Sequence, residues 1–347
     1  MTRLLAAALA LVGLAACAPP TPTAQAGKLV VAGYGGSYQE AFEQAVLPGF
    51  EKSCGCEVTY IAGSSTDTVA KLKAQKDAPQ IDVALIDDGP QAQAAEAGLL
   101  AGLDPVKVTR LDKVEKVARL AGDVGVGFAL TATGLAYNRD WYAENGLPAP
   151  KRLADLANPK LKGKVVLPSI SNTYGVGALM LAARAAGGSE RDIDPGFAGV
   201  KKVAANAFTF DTTADVSNYF LQGQAVASVW GGSRVETLAD KDFPIAFVYP
   251  EAGAIPLLAT ANVVNKAPHP DLAQQFVNAL LQPGIQRELA AEGYDGPTVT
   301  DARLDPAVAE RVVGPEQAAE MKPLDWTVVN GARSAWTDRW TKEVERS

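Results

Sequence analysis

Short apolar stretches alternate with amphipathic ones along this chain, and that alternation limits the folds open to it more than any motif does. KLVVAGY from Lys28, EVTYIAG from Glu57 and IDVALID from Ile81 are strand-length runs rich in valine and isoleucine. Each precedes a stretch with helical spacing: SYQEAFEQAVLPGFEK, DTVAKLKAQKDA and GPQAQAAEAGLL. Such alternation implies a mostly parallel sheet with helices on both faces, because parallel neighbours need a crossover to bring the chain back. Pro48 is expected to kink or divide the first helix. After Gly127 the pattern changes, and GFALTATGLAYN has the small, β-branched character of a strand crossing between lobes. A second alternation runs through KVVLPS, TYGVGALMLAARAA, FTFD, VSNYFLQGQ, AVASVW, RVETLAD and IAFVYP. TANVVN reads as a return strand and PDLAQQFVNALLQPGIQRELA as one amphipathic helix. Trp336 and Trp340 stand one turn apart and are expected in the core rather than at a ligand.

A chain of 347 residues has room for two such lobes, each with a sizeable core. Its net charge is −7 and its basic residues are scattered singly, so no stripe exists to hold nucleic acid. The beginning is not part of the fold. Met1-Thr2-Arg3 is followed by LLAAALALVGLAA, an apolar run too short to span a membrane, which reads as an export signal. LAAC, ending at Cys17, has the form of a lipobox, with Cys17 lipidated and APPTPTAQAG as a tether; ordinary cleavage after Ala24-Gln25-Ala26 is the rival. The mature chain is therefore expected in the periplasm or on the outer face of the cytoplasmic membrane. Cys54 and Cys56, written C-G-C, can close a tight disulfide across Gly55 in an oxidising compartment or stay reduced.

One small device occurs twice. YGGSYQE begins at Tyr34 and WGGSRVE at Trp230, each after an apolar strand and before a helix. Ser37 with Glu40, and Ser233 with Glu236, have the S-x-x-E spacing of a capping box. In open α/β sheets, ligands sit beyond the carboxyl ends of strands, where helix N-termini present unpaired N–H groups. The glycines would let a ligand approach the backbone, with Tyr34 and Trp230 as aromatic walls; two unrelated capping boxes are the plainer reading. Neither copy is a P-loop or a dinucleotide fingerprint. Catalysis finds little support. His269 is the one histidine, in the turn APHPD, and no GxSxG, HExxH or cysteine–histidine couple exists, so no catalytic residue is assigned. No cofactor or metal is expected. Asp87 and Asp88 end a strand and either meet a cation or amine, or cap the next helix. Asp215 either caps through Thr212 or pairs an ammonium.

Taken with the export signal, the stretches GGSYQEAFEQAVLPGFEK, IDVALIDDG and VNKAPHPDLAQQFVNALLQPGIQRELAAEGY resemble the solute-binding components of ABC importers. The likeness covers nearly the whole mature chain and is nearest to the polyamine-, thiamine- and ferric-binding subgroup. It implies an α/β, two-lobed periplasmic-binding-protein fold of type II-like form, each lobe a mixed sheet flanked by helices, with hinge strands between. Residues 1–27 would be signal and tether, 28–134 plus 258–301 lobe 1, and 135–257 plus 302–347 lobe 2. It also implies a monomer, held to the membrane by its lipid, that captures a small-molecule solute and hands it to a membrane permease. The polyamine-binding pattern falls on Tyr34, Tyr38, Asp87, Asp88, Asn172, Thr173, Tyr174 and Trp230. Ser37 of the first device, Thr131 of the crossing strand and Asp211 join them as candidates. The pattern's acid at the second crossover is missing, since Leu257 to Ala259 stand there, which argues against a long polyamine. Arg234 and Thr260 suit a ligand with an anionic or hydroxylated end. The expected solute is an amine, a polyamine or an amino-acid-like zwitterion. Thiamine, a phosphonate, ferric ion and a sensory role are the alternatives, with an enzyme on the same scaffold last.

Overall fold

The computed structural model describes residues 27–346, with all their side chains except those of Ser37 and Ala41. Nine strands form one mixed sheet: β1 (Lys28–Tyr34), β2 (Glu57–Gly63), β3 (Val83–Asp87), β4 (Val126–Asn138), β5 (Val165–Pro168), β6 (Ala207–Asp211), β7 (Ala227–Gly231), β8 (Ile245–Val248) and β9 (Ile255–Val263). Their order is β2-β1-β3-β9-β4-β7-β5-β6, with β8 also on β4. At each end the strands run parallel, β1 beside β2 and β3, and β5 beside β6 and β7. In the middle, β4 and β9 pair antiparallel with each other and join the two parallel groups. The thirteen residues of β4 are shared: Val126 to Thr133 pair with β9, whereas Thr133 to Tyr137 pair with β7.

The first helices are α1 (Ser37–Ala45), α2 (Leu47–Cys54), α3 (Ser65–Ala74), α4 (Asp88–Glu96), α5 (Arg139–Glu144), α6 (Thr173–Ala185) and α7 (Asp194–Ala204). After them come α8 (Ser217–Leu221), α9 (Gly232–Ala239), α10 (Pro270–Leu280), α11 (Pro283–Gly293), α12 (Pro306–Ala309), α13 (Pro315–Glu320) and α14 (Trp326–Trp340). Pro48 stands in the first turn of α2 and divides it from α1, as its chemistry requires. Pro283 does the same between α10 and α11, so the single helix expected from Pro270 onward is two. Its ring fits a first turn but would clash with a carbonyl inside a continuing helix. Cys54 and Cys56 are joined as a disulfide across Gly55, which takes φ 60° at the end of α2. Cys17 lies outside the described residues, and no described helix is long and apolar enough to cross a membrane.

Apolar burial divides into two regions. One packs Leu29, Val31, Phe42, Phe128 and Phe276 on one face of the first strand group and Ile81, Ile86 and Leu99 on the other. The second packs Leu135, Leu167, Phe197 and Trp340 on one face and Phe220, Trp230 and Ile245 on the other. Trp336 and Trp340 are both in that second core, as their spacing suggests. Val313 and Met321 pack in the first region, and the chain enters the second only from Leu324.

Neither copy of the GGSxxE device is a capping box. Gly36 caps α1 at φ 68°, and Gly231 caps α9, so the serines fall inside the first turn instead of before it. Glu236 turns outward to Arg311 at 2.9 Å, and Glu40 lies 3.9 Å from Lys241. Gly36 is required twice over, because its φ is left-handed and a Cβ there would collide with the Asp215 carboxylate.

Candidate functional site

The carboxyl ends of β1, β2 and β3 on one side, and of β6 and β7 on the other, point at a common space between the two packed regions. That is where an open α/β sheet places its ligand. A cavity of about 650 Å³, mouth included, opens there. From the first side come Tyr34 at the end of β1 and Gly35 after it, Tyr38 on α1, Ser64 to Thr66 at the start of α3, and Asp87 at the end of β3. The middle strands add Ala129, Thr131, Leu257 and Ala259, and the loop after α11 adds Asp295. From the second side come Asn172 to Tyr174 at the start of α6, Thr213 and Ala214 before α8, and Ser233 and Arg234 at the start of α9.

Its walls are held in place locally. Asn172 caps α6 by accepting from the Gly175 N–H at 3.1 Å and donates to the Asp211 carbonyl at 3.0 Å. The Thr131 hydroxyl accepts from the Ser233 N–H at 3.0 Å, tying the crossing strand to α9. Thr173 donates to Asp87 Oδ2 at 2.5 Å, a direct link between the two sides. Tyr34 and Tyr38 meet edge to face with centroids 4.9 Å apart. The Arg234 guanidinium lies 5.9 Å from the Tyr38 ring centroid and 3.4 Å from Asp215, with both charged side chains largely buried. Three oxygens, Tyr34 Oη, Tyr38 Oη and Asp295 Oδ2, are buried with no hydrogen-bond partner among the described residues.

Burial governs the electrostatics. It raises the Asp87 carboxyl against the opposing pull of Thr173, Tyr34, Ser65 and Arg234. It pushes Asp295 up to about 7, against Ser233, Arg234 and Tyr38. Tyr38 is near enough to influence that titration but makes no hydrogen bond of normal geometry with the carboxyl. Burial also raises Tyr34 and Tyr38 well above the usual phenol range and Tyr174 to about 12. Arg333, behind Asp87, is lowered by burial to about 10 and donates to the Ile170 and Ser171 carbonyls.

Eight of the residues named from sequence line this one cavity: Tyr34, Tyr38, Asp87, Thr131, Asn172, Thr173, Tyr174 and Arg234. The Ser37 side chain lies outside the described ones. Four others are elsewhere. Trp230 is in the core, stacked on Phe220 at 6.3 Å, with its Nε1 donating to the Ala214 carbonyl. Thr260 is fully buried and donates to the Ile86 carbonyl, because Leu257 and Ala259 are the cavity-lining residues of β9 and successive side chains alternate between faces. Asp88, one residue beyond the cavity-facing Asp87, accepts from Trp326 Nε1 at 2.7 Å. Asp211 accepts from the Thr213 hydroxyl and the Ala214 N–H, shaping the turn that brings those two residues to the cavity. Asp295 went unnoticed, since an acid in the turn GYDG carries no signal of its own. Ser233, read as a cap, instead lies beside Asp295 and lowers its pKa. Among the described residues no group of three or more His, Cys, Asp and Glu could hold a metal ion.

A mixed sheet in two parallel groups, joined by two long strands and enclosing a polar-aromatic cavity at the strand ends, is the architecture of a solute-binding fold. Comparison makes the assignment specific. Residues 45–313 match the family of bacterial extracellular solute-binding proteins, and the chain belongs to that family. The resemblance seen in the sequence is thereby borne out. The spermidine/putrescine-binding periplasmic protein of Escherichia coli (strain K12) is 24% identical over 323 residues, covering 89% of this chain and 90% of that one. The gamma-aminobutyric acid-binding protein of Pseudomonas aeruginosa is 26% identical over 348 residues, covering 97% and 93%. Among solved structures, the periplasmic binding protein AgtB from Agrobacterium tumefaciens R10 in complex with agropinic acid superposes with a TM-score of 0.78 at 27% identity, covering 92% of this chain and 98% of that one.

Proposed function

We propose that this chain is the solute-binding component of an ABC importer, and that it captures a small polar organic solute carrying an amine and delivers it to a membrane permease. The solute is an amine, a polyamine or an amino-acid-like zwitterion. One observation carries the reading: a single cavity draws aromatic rings, two carboxyls and a guanidinium from both sides of the molecule. A solute held by both sides stabilises the closed arrangement, and one held by a single side does not. The ligand-binding residues are Tyr34, Tyr38, Asp87, Thr131, Asn172, Thr173, Tyr174 and Arg234. The lobes are residues 28–134 with 258–321, and 135–257 with 322–347. Residues 302–321 go with the first lobe in this proposal because Val313 and Met321 pack in its core. A lipid on Cys17 would hold the protein at the outer face of the membrane.

An anionic solute such as a phosphonate is the second reading, favoured by the N-termini of α1, α3, α6 and α9 around the cavity. Asp87 and Asp295 in the same wall oppose it. A thermal-shift panel separates the two, with putrescine, spermidine, γ-aminobutyrate, aminoethylphosphonate, inorganic phosphate and a sugar as probes. A probe at a hundred times its dissociation constant stabilises the fold by about 2.7 kcal/mol. A rise in midpoint with the amines is expected, a rise with phosphate alone would favour the second reading, and no rise with any probe would overturn both.

A further inference from the structure

Most charged groups around the cavity already have partners. Arg234 has Asp215 at 3.4 Å, Asp87 has the Thr173 hydroxyl, and Arg333 donates through Nη2 to the Ile170 and Ser171 carbonyls. Asp295 differs. It is 3% exposed, lines the cavity, and leaves Oδ2 without a hydrogen-bond donor among the described residues. It follows Tyr294, which ends α11 at φ 57°, and lies beside Ser233 in the first turn of α9. Leaving a buried acceptor unmatched is costly, and in a binding cleft the natural match is a donor on the ligand. The other two unmatched oxygens in this wall are the hydroxyls of Tyr34 and Tyr38, whose rings pack edge to face. A primary ammonium offers three N–H donors on a compact, positively charged head, and aromatic faces attract it further.

Building on the solute-capture reading above, we infer that Asp295 is the counter-ion of a protonated amine on the captured solute, with the hydroxyls of Tyr34 and Tyr38 as flanking acceptors. The assignment has a consequence in pH. Burial holds the free carboxyl up to about 7, while Tyr38 on α1 and Ser233 and Arg234 on α9 pull it down. Asp215 lies beyond Arg234 and partly offsets that guanidinium. An ammonium arriving at Asp295 lowers its pKa, so binding below neutral pH expels a proton. Affinity for an amine therefore rises as pH increases toward about 7 and levels off above it.

The test uses the full chain with putrescine and γ-aminobutyrate as amine probes and butyrate as the amine-free control. Calorimetric titration of the wild-type protein at about pH 6, in two buffers of different protonation heat, reads the proton released on binding. Release with the amine probes is expected, and its absence would overturn the assignment without needing any variant. Asp295→Asn should weaken amine binding by about thirtyfold or more and flatten the pH profile. An Asp295→Asn protein that melts like wild type and binds the amine equally well would overturn the assignment while leaving solute capture intact. If no probe binds even the wild-type chain, solute capture by an amine-specific cleft fails, and this assignment fails with it.

Discussion

At the scale of single residues, the side chains that look most like ligand contacts in the sequence divide by the face they take. Trp230 closes the apolar run AVASVW and begins the second glycine device, yet it is 1% exposed and stacked on Phe220. Its role is packing. Trp230→Ala should cost about 3–5 kcal/mol of stability by the cavity it leaves, read as a lower urea midpoint. Any protein that stays folded should retain ligand affinity within a few-fold; selective loss of binding at unchanged stability would contradict the core placement. Tyr34, Tyr38, Asp87 and Arg234 were legible because each sits at a strand end or a helix start, where residue type and position agree. Thr260 was misread through one residue of register in β9, and sequence gives no phase for a strand buried on both faces. Asp295 was invisible because its importance comes from where α11 ends in space, far from the residues it meets along the chain.

At the scale of elements, the strand–helix alternation carried both parallel groups, and the prolines marked where helices break. Pro48 was read correctly, and Pro283 follows the same rule but lay hidden inside a convincing amphipathic pattern. The long strand β4 was visible as a crossing, though its division of labour between β9 and β7 was not, since its inner residues are buried almost throughout. Glu236, read as half of a capping box, instead joins α9 to the segment after α12. Arg311 binds Glu236 at 2.9 Å and Asp240 at 3.0 Å while its guanidinium lies 4.0 Å from the Tyr294 ring centroid. That cluster links the first packed region to the second outside the cavity. It is partly exposed, so its worth is modest, about 0.2–1 kcal/mol. Arg311→Ala should speed ligand dissociation by a few-fold with little change in association, measured by stopped-flow fluorescence. An unchanged dissociation rate would show that the cluster does not hold the closed form.

At the scale of the whole molecule, the sequence resolved family and architecture, because hydrophobic alternation and two crossings leave few alternatives for a chain of this length. It left the ligand open. Solute choice depends on a handful of side chains whose mutual geometry arises only when two distant parallel groups face each other. Capture between the two sides requires that the solute touch both walls of the cavity at once. The most direct check is calorimetric titration of the best amine probe into wild type, Tyr38→Ala from the first side and Tyr174→Ala from the second. Each aromatic contributes packed apolar area and attraction for a cation, so each loss should weaken binding by about tenfold or more. Wild-type affinity in either variant would mean that the solute is held by one side alone, and would contradict capture between them.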